Sequence, residues 1–372
     1  MKAPGRILVV MTRRIGDVLL TTPVMRSLRQ AWPQARIEVL VFAGTEGVLL
    51  GNPDIDDVIT VKQRSSFGEQ LRLLARLWRR YDLALSMVPS DRPTLYAFAA
   101  GRHRVGMVAA GEKHAWKKWV LSQWIPFDNI ATHTVLMHLG LVKLLGIESC
   151  YEVVAAWRPK NEEQVCQVLP FDPAAQDYAV LHVYPMYAYK MWSWNGWTEL
   201  ARWLGEQGLR VVLTGGGGRE ELAYVENLLQ SLPVDTVNLA GKLELGGVAC
   251  LLNRARAYVG PDTVVTHMAA ALGVPTVALF GPSNPVKWGP WPTGYHEGAN
   301  PYQLKGTQKV NNVVLLQGEG ECVPCMEEGC ERRIGSSSKC LQELPASRAI
   351  AALQQLWDES TVQNMDVESK KK

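Results

Sequence analysis

The chain has 372 residues, 47% of them hydrophobic and 20% charged, a composition that excludes disorder and collagen-like repeats. Its 39 basic and 36 acidic residues leave +3, too little for a strongly cationic nucleic-acid binder, and 7 cysteines are too few for a disulfide scaffold. The mean conceals an asymmetry: residues 1–150 carry 20 Lys/Arg against 12 Asp/Glu, and the remainder carries 19 against 24. A basic half followed by an acidic half fits two domains with different partners. No apolar stretch approaches the ~20 residues needed to span a bilayer, and the first residues lack the apolar core and cleavage site of a signal peptide. The protein is therefore expected in the cytoplasm, with a membrane surface still open to it.

Taken in chain order, residues 6–11 (RILVVM) form a short apolar run bounded by Gly5, the mark of a strand buried on both faces. A helical pattern follows over residues 17–31, with Pro23 either starting or kinking it. Strands are predicted at 36–42, 58–61 and 83–87, with a basic amphipathic helix over 70–81. The alternation restarts after residue 150. A helix and then a Pro-bearing linker are expected over 161–176, strands near 178–183, 209–214, 236–239, 257–259 and 276–280, and helices between them. This is two α/β units, each with a parallel sheet. The first is expected over 1–172 and the second over 173–342, followed by a helix at 343–358 and a disordered tail at 359–372 that ends in three lysines. Two such domains in tandem put a cleft between them, and ligands of open α/β sheets bind at the carboxyl ends of strands.

Four loops at such ends carry polar groups. The first, Thr12-Arg13-Arg14-Ile15-Gly16-Asp17, lacks a dinucleotide fingerprint, and no phosphate-loop motif occurs anywhere in the chain. It offers Asp17, either a reactive carboxylate or a plain helix N-cap. The second runs from His182 to Trp197 and sets Lys190 among tyrosines and tryptophans. That pattern suits a phosphate held beside a stacked moiety, or a surface lysine beside tryptophans that pack a helix. The third is Thr214-Gly215-Gly216-Gly217-Gly218-Arg219-Glu220, either a loop of accessible backbone N–H groups or a flexible turn. The fourth is the most specific. Gly260-Pro261-Asp262-Thr263 leads into a small-residue helix with Thr266-His267, followed by the Phe280-Gly281-Pro282-Ser283 turn. A helix N-terminus aimed at the cleft favours an anion; His267 alone could be a satisfied core histidine, a reading the constellation disfavours.

On Ile15-Gly16-Asp17-Val18 with Thr22-Pro23, on Lys190-x-Trp192, and on Gly260-x-Asp262-Thr263-x(3)-His267 with Ala269 to Gly273 and Phe280-Gly281-Pro282, the chain resembles glycosyltransferase family 9, the heptosyltransferases of lipopolysaccharide core assembly. The resemblance implies an α/β GT-B fold, two Rossmann-like domains facing across a cleft, acceptor in the first and donor in the second. It implies inverting, metal-independent transfer of a heptose from ADP-heptose to the lipopolysaccharide inner core, with Asp17 as general base. It places Lys190, Glu220, Leu243, Asp262, Thr263 and His267 on the donor; from the loops themselves Thr214 and Gly215 are expected beside them, and Arg13, Arg14 and Gly16 on the acceptor side. The alternatives are a GT-B transferase or epimerase using another nucleotide sugar, and a non-catalytic glycan-binding relative.

The basic half fits an acidic, phosphate-bearing glycolipid presented at the inner face of the inner membrane, and no nucleic acid. Lys113, His114, Lys117 and Lys118, with Trp116, Trp119 and Trp124, read either as an interfacial stretch or as a helix packing its tryptophans on the core. Finally, Cys322, Cys325, Cys330 and Cys340 gather in 19 residues. In a reducing compartment that spacing offers a structural zinc site or a set of reduced thiols, with a disulfide or an iron–sulfur cluster as further alternatives.

Overall fold

The computed structural model describes residues 2–369, with side chains described as far as Glu359. It divides into two compact units, Met1–Ala156 with Tyr295–Asn300, and Trp157–Gly294 with Pro301–Lys372.

The first unit is built on six strands: β1 (Arg6–Met11), β2 (Arg36–Phe42), β3 (Asp57–Val61), β4 (Tyr81–Ser86), β5 (Gly101–Val108) and β6 (Gln123–Pro126). They lie in the order β3-β2-β1-β4-β5-β6, all parallel. From Ile7 to Met11 no side chain of β1 reaches solvent, as its unbroken apolar run requires. The helices are α1 (Ile15–Leu19), α2 (Thr22–Ala31), α3 (Phe67–Leu77), α4 (Asp91–Ala100), α5 (Ala115–Val120) and α6 (Thr134–Leu144). The helical pattern expected over 17–31 is thus two helices. Pro23 has no N–H to give and sits in the first turn of α2, where none is needed. The strands β5 and β6 escaped the sequence reading because Arg102, His103 and Arg104 break the apolar run of one, and the other has only four residues.

The second unit carries β7 (Tyr178–His182), β8 (Arg210–Thr214), β9 (Val237–Asn238), β10 (Ala257–Pro261), β11 (Thr276–Phe280), β12 (Gln308–Val310) and β13 (Val313–Gln317). Their order is β12-β13-β11-β10-β7-β8-β9, parallel except for the β12–β13 pair. Its helices are α7 (Pro159–Val168), α8 (Trp194–Glu206), α9 (Arg219–Leu229), α10 (Leu245–Asn253), α11 (Val264–Ala271), α12 (Pro285–Trp288), α13 (Lys339–Gln342) and α14 (Ala346–Ser369). Each unit is therefore a Rossmann-like α/β layer structure.

Two boundaries differ from the sequence expectation. The division falls at Ala156/Trp157 rather than at 172/173. The cause is α7, which packs on α10 of the second unit. Gln164 Nε2 donates to Lys242 O (3.1 Å), Lys160 pairs with Glu244 (3.0 Å), and Asn161 fills the space that a side chain on Gly246 would need. The last helix, expected over 343–358 with a disordered tail at 359–372, starts at Ala346 and continues to Ser369. Residues 370–372 lie outside the described part. Ala349, Leu353 and Leu356 of α14 are buried in the same core as Trp192, Trp197 and Leu200, which anchors the helix to the sheet.

Trp192 and Trp197 meet edge to face, with ring centroids 4.8 Å apart, and Gly196 lies against the Trp192 indole. A Cβ at Gly196 would run into that ring. Gly196→Ala is expected to lower stability by about 1–3 kcal/mol in urea denaturation. Gly68→Ala on α3, where nothing stands within 4 Å, is expected to be neutral or mildly stabilising.

Candidate functional site

In an open parallel sheet the crevice forms where neighbouring strands send their connections to opposite sides. In the second unit that point lies between β7 and β10. Lys190 follows β7, in a single 3₁₀ turn (Ala188–Lys190), and Asp262 follows β10. The two meet there: Lys190 Nζ donates to Asp262 Oδ2 (2.5 Å) and to its backbone carbonyl (3.3 Å). His267, one turn into α11, brings Nε2 to 3.9 Å from Asp262 Oδ1. Its Nδ1 is buried with no hydrogen-bond partner among the described residues.

Burial alone would raise the Asp262 carboxyl, but the Lys190 ammonium, with His267 and the Ser283 hydroxyl, holds it below the usual range. Burial pushes His267 down to about 4 despite the carboxylate beside it. The site at neutral pH is therefore an ion pair beside a neutral imidazole. Thr263 is the N-cap of α11, so the first amides of that helix open onto the same corner. Thr263 Oγ1 and Thr266 Oγ1 stand 3.4 Å apart, and the Thr266 hydroxyl hydrogen-bonds with Tyr258 (2.8 Å).

Lys190 is held in place from behind by its own backbone. Ser338 Oγ donates to Tyr189 O (2.7 Å), Gln342 Nε2 to Met191 O (2.9 Å), and Trp192 Nε1 to Leu344 O (2.7 Å). The tryptophans beside Lys190 therefore answer to the core: Trp192 and Trp197 are fully buried, and only Trp194 is partly exposed.

The remaining residues predicted for the donor share the carboxyl edge of this sheet in separate positions. Thr214, at the end of β8, is buried, and its hydroxyl meets His182 Nδ1 (3.1 Å). Gly215 and Gly216 border Glu221, whose carboxylate accepts the Gly216 N–H (2.6 Å). Glu220 is exposed in the first turn of α9. Leu243 is half-buried after β9 and faces Gly247. The sequence reading missed Glu221. Its signal was the pair Glu220-Glu221, of which the inner member turns back into the glycine loop.

In the first unit the corresponding switch point lies between β1 and β4, and the loop after β1 carries Asp17. Arg14 is the N-cap of α1, so Asp17 lies inside the first turn and is no N-cap. It is buried, its backbone carbonyl accepts the Thr21 hydroxyl (2.8 Å), and Arg13 Nε comes within 3.8 Å of Oδ2. Arg13 and Arg14 are exposed, and Gly16 is half-buried.

Two other expectations are corrected. Lys117 is fully buried, binding Pro89 O and pairing with Asp91 (2.8 Å), so it is not a surface charge. The four cysteines form no zinc site: among the described residues no three His, Cys, Asp or Glu side chains converge to hold a metal. All are free thiols. Cys340 packs behind Gly281, its thiol pushed up to about 11 by burial and by Cys325, Cys330 and Cys322 nearby. The Cys330 sulfur instead accepts the Lys339 N–H (3.3 Å).

His182 and His267 are both held near 4 by burial, below the ~6.5 of an unfolded histidine. The unfolded chain therefore takes up protons first, and stability present at neutral pH is lost as pH falls from about 6.5 toward 4. The loss is expected to reach about 3 kcal/mol per histidine. Urea denaturation across that range should show His267→Gln flattening the dependence relative to wild type while leaving the high-pH plateau parallel.

A family model, glycosyltransferase family 9 (heptosyltransferase), matches residues 70–314. The chain is 25% identical to lipopolysaccharide heptosyltransferase 3 of Escherichia coli (strain K12), over 92% of its own length and 96% of that protein. Among solved structures it resembles the glycosyl transferase family 9 protein of Veillonella parvula (TM-score 0.74, 21% identity, 95% of this chain and 97% of that one). It also resembles E. coli ADP-heptose lps heptosyltransferase II (TM-score 0.71, 22% identity, 96% and 99%). The fold is GT-B, and the chain is a glycosyltransferase that belongs to family 9, the heptosyltransferases.

Proposed function

We propose that the protein transfers a heptose from ADP-heptose to an acidic inner-core lipopolysaccharide acceptor, by a single inverting displacement without a catalytic metal. The observation that carries this reading is the Lys190–Asp262–His267 cluster beside the N-terminus of α11, at the switch point of the second sheet. The names of the similar proteins supply the sugar and the nucleotide.

The chemistry follows from charge. A departing ADP gains negative charge as its bond to the sugar breaks. The Lys190 ammonium and the first amides of α11 offer that charge fixed, already oriented partners. The buried His267, neutral at its Nε2–Asp262 side and unpartnered at Nδ1, adds a polar atom that costs free energy until a ligand satisfies it. In this reading Thr263 and Asp262 hold the diphosphate-sugar end. Thr214, Gly215, Glu220 and Leu243 line the nucleoside end.

The acceptor hydroxyl is a poor nucleophile until a base removes its proton as the new C–O bond forms. Asp17 is that base in our reading, a carboxylate at the switch point of the first sheet. Arg13, Arg14 and the Gly16 backbone are suited to an acidic, phosphate-bearing acceptor, and Arg13 also orients the Asp17 carboxylate. No described helix is long and apolar enough to cross a membrane. By likeness to the lipopolysaccharide heptosyltransferases, the protein is proposed to act in the cytoplasm and to meet its acceptor at the inner face of the inner membrane.

Asp17→Asn is expected to reduce transfer by about 10²–10⁴-fold while preserving the thermal shift produced by ADP. Mass spectrometry of a truncated core lipopolysaccharide incubated with ADP-heptose reads the product; undiminished transfer by the variant overturns the base assignment. ADP should stabilise the protein more than UDP, and transfer should survive EDTA. A larger shift with UDP would redirect the donor to another nucleotide sugar, and loss of transfer in EDTA would overturn the metal-independent reading.

A further inference from the structure

The first unit exposes a helix face that its own core does not use. α3 buries Leu73, Leu74 and Leu77 against Tyr96, Ala97 and Ala100 of α4 and against β1, β2 and β3. That accounts for one side of the helix. Phe67, Leu71 and Ala75 recur at every fourth position, with Trp78 immediately after the helix completing a second stripe. This stripe points to solvent: Phe67 is 81%, Leu71 56% and Trp78 58% exposed. Isolated exposed apolar residues are ordinary, but a phenylalanine, a leucine and a tryptophan aligned on one helix are not.

The flank of the stripe is cationic. Between Arg64 and Arg80 the chain carries five arginines and one acid, Glu69. That acid is already engaged, since it caps the helix at Ser66 and pairs with Lys62 (2.9 Å). Arg72 and Arg76 lie one position beyond Leu71 and Ala75, along the edge of the stripe, and both are exposed. Arg79 rests over the Trp78 ring, 5.7 Å from its centroid. Large apolar side chains on one stripe, with arginines beside it, are the pattern of a helix that lies in the plane of a bilayer surface. The arginines select an anionic surface, because each one near such a membrane adds attraction that a neutral bilayer does not supply.

We propose that α3 docks the protein on a bilayer of anionic phospholipid, with Phe67, Leu71 and Trp78 entering the headgroup boundary and Arg72 and Arg76 meeting lipid phosphates. The site deepens the proposed function and rests on that reading only for its purpose, which is to hold the enzyme where a glycolipid acceptor is presented. It replaces the 113–124 stretch as the primary contact, because the buried Lys117 of α5 is committed to Pro89 and Asp91.

The test is flotation of the full-length protein with vesicles of equal parts phosphatidylglycerol and phosphatidylethanolamine, and separately with phosphatidylcholine vesicles. Wild type is expected to float with the anionic vesicles and not with phosphatidylcholine. R72E/R76E and F67S/L71S/W78S are each expected to lower recovery by about tenfold or more. Both variants should keep the wild-type thermal shift with ADP. If the serine variant misfolds, the arginine pair, which touches no core, carries the test alone. Wild type that stays unbound, or variants that float as well as wild type, would overturn the proposal. So would a wild-type dimer in light scattering that the serine variant converts to monomer, since the face would then belong to a second copy. Failure of the transfer reaction would strike the proposed function and leave the flotation result standing.

Discussion

Much of the second unit depends on one ion pair. Asp262 ends a strand that is buried along its whole length, where a lone carboxylate would be driven to its neutral form. Lys190 keeps it charged, and the structure is organised to deliver that ammonium. It stands 72 residues away in sequence, on a loop whose carbonyls on either side, at Tyr189 and Met191, are pinned by Ser338 and Gln342. Trp192 adds a third tie to Leu344 and locks into the core with Trp197. The segment between Gly318 and Leu344 therefore has a structural task that does not require its cysteines to bind anything. Met326 N–H on Pro282 O (2.9 Å) and the Cys340 side chain behind Gly281 extend the same brace to the turn after β11.

Both units place a carboxylate beside the switch point of their sheet, on opposite sides of it. For the first unit this is Asp17 after β1, and for the second Asp262 after β10. The two are treated differently. Asp262 is paired with a lysine at hydrogen-bond distance, and Arg13 approaches Asp17 to 3.8 Å from an exposed side chain. A closely paired carboxylate is a poor base because protonation would break the pair. Asp262 is therefore better suited to a binding role than to accepting a proton, in keeping with the roles proposed above.

Much of this was legible in the sequence because buried parallel strands announce themselves. RILVVM, RIEVLVF and TVALF have no alternative use, and each became a strand within a residue or two of the expected place. The grouping of Lys190, Asp262 and His267 came from a resemblance of motifs, and their meeting depends on strand order, which no local pattern encodes. Other features were illegible for physical reasons. Lys117 and Lys118 are adjacent and identical, yet one is fully buried and the other stands over the Trp124 ring (4.6 Å). Likewise, helical periodicity marked residues 70–81 as amphipathic without revealing that α3 carries two apolar stripes and that the core takes only one. The cysteine spacing looked like a metal motif because spacing along the chain carries no information about where the sulfurs point.

The glycine loop shows how far a motif can mislead about charge. Four consecutive glycines after a strand suggest a loop of accessible backbone N–H groups, yet the Gly216 N–H is already given to Glu221, with Gly215 close to the same carboxylate. Burial raises that carboxyl, so the protein incurs a cost to place an acid there. An anion brought to the loop would meet a like charge with few protons to spare. The same carboxylate is well suited to accept hydrogen bonds from hydroxyl groups, which a ribose offers and a phosphate does not. Under the proposed function, the acid beside β8 suits the nucleoside end of the donor, and Lys190 with the first amides of α11 suits its diphosphate. The glycines serve this arrangement by admitting the Glu221 side chain, which any Cβ at Gly215 or Gly216 would displace.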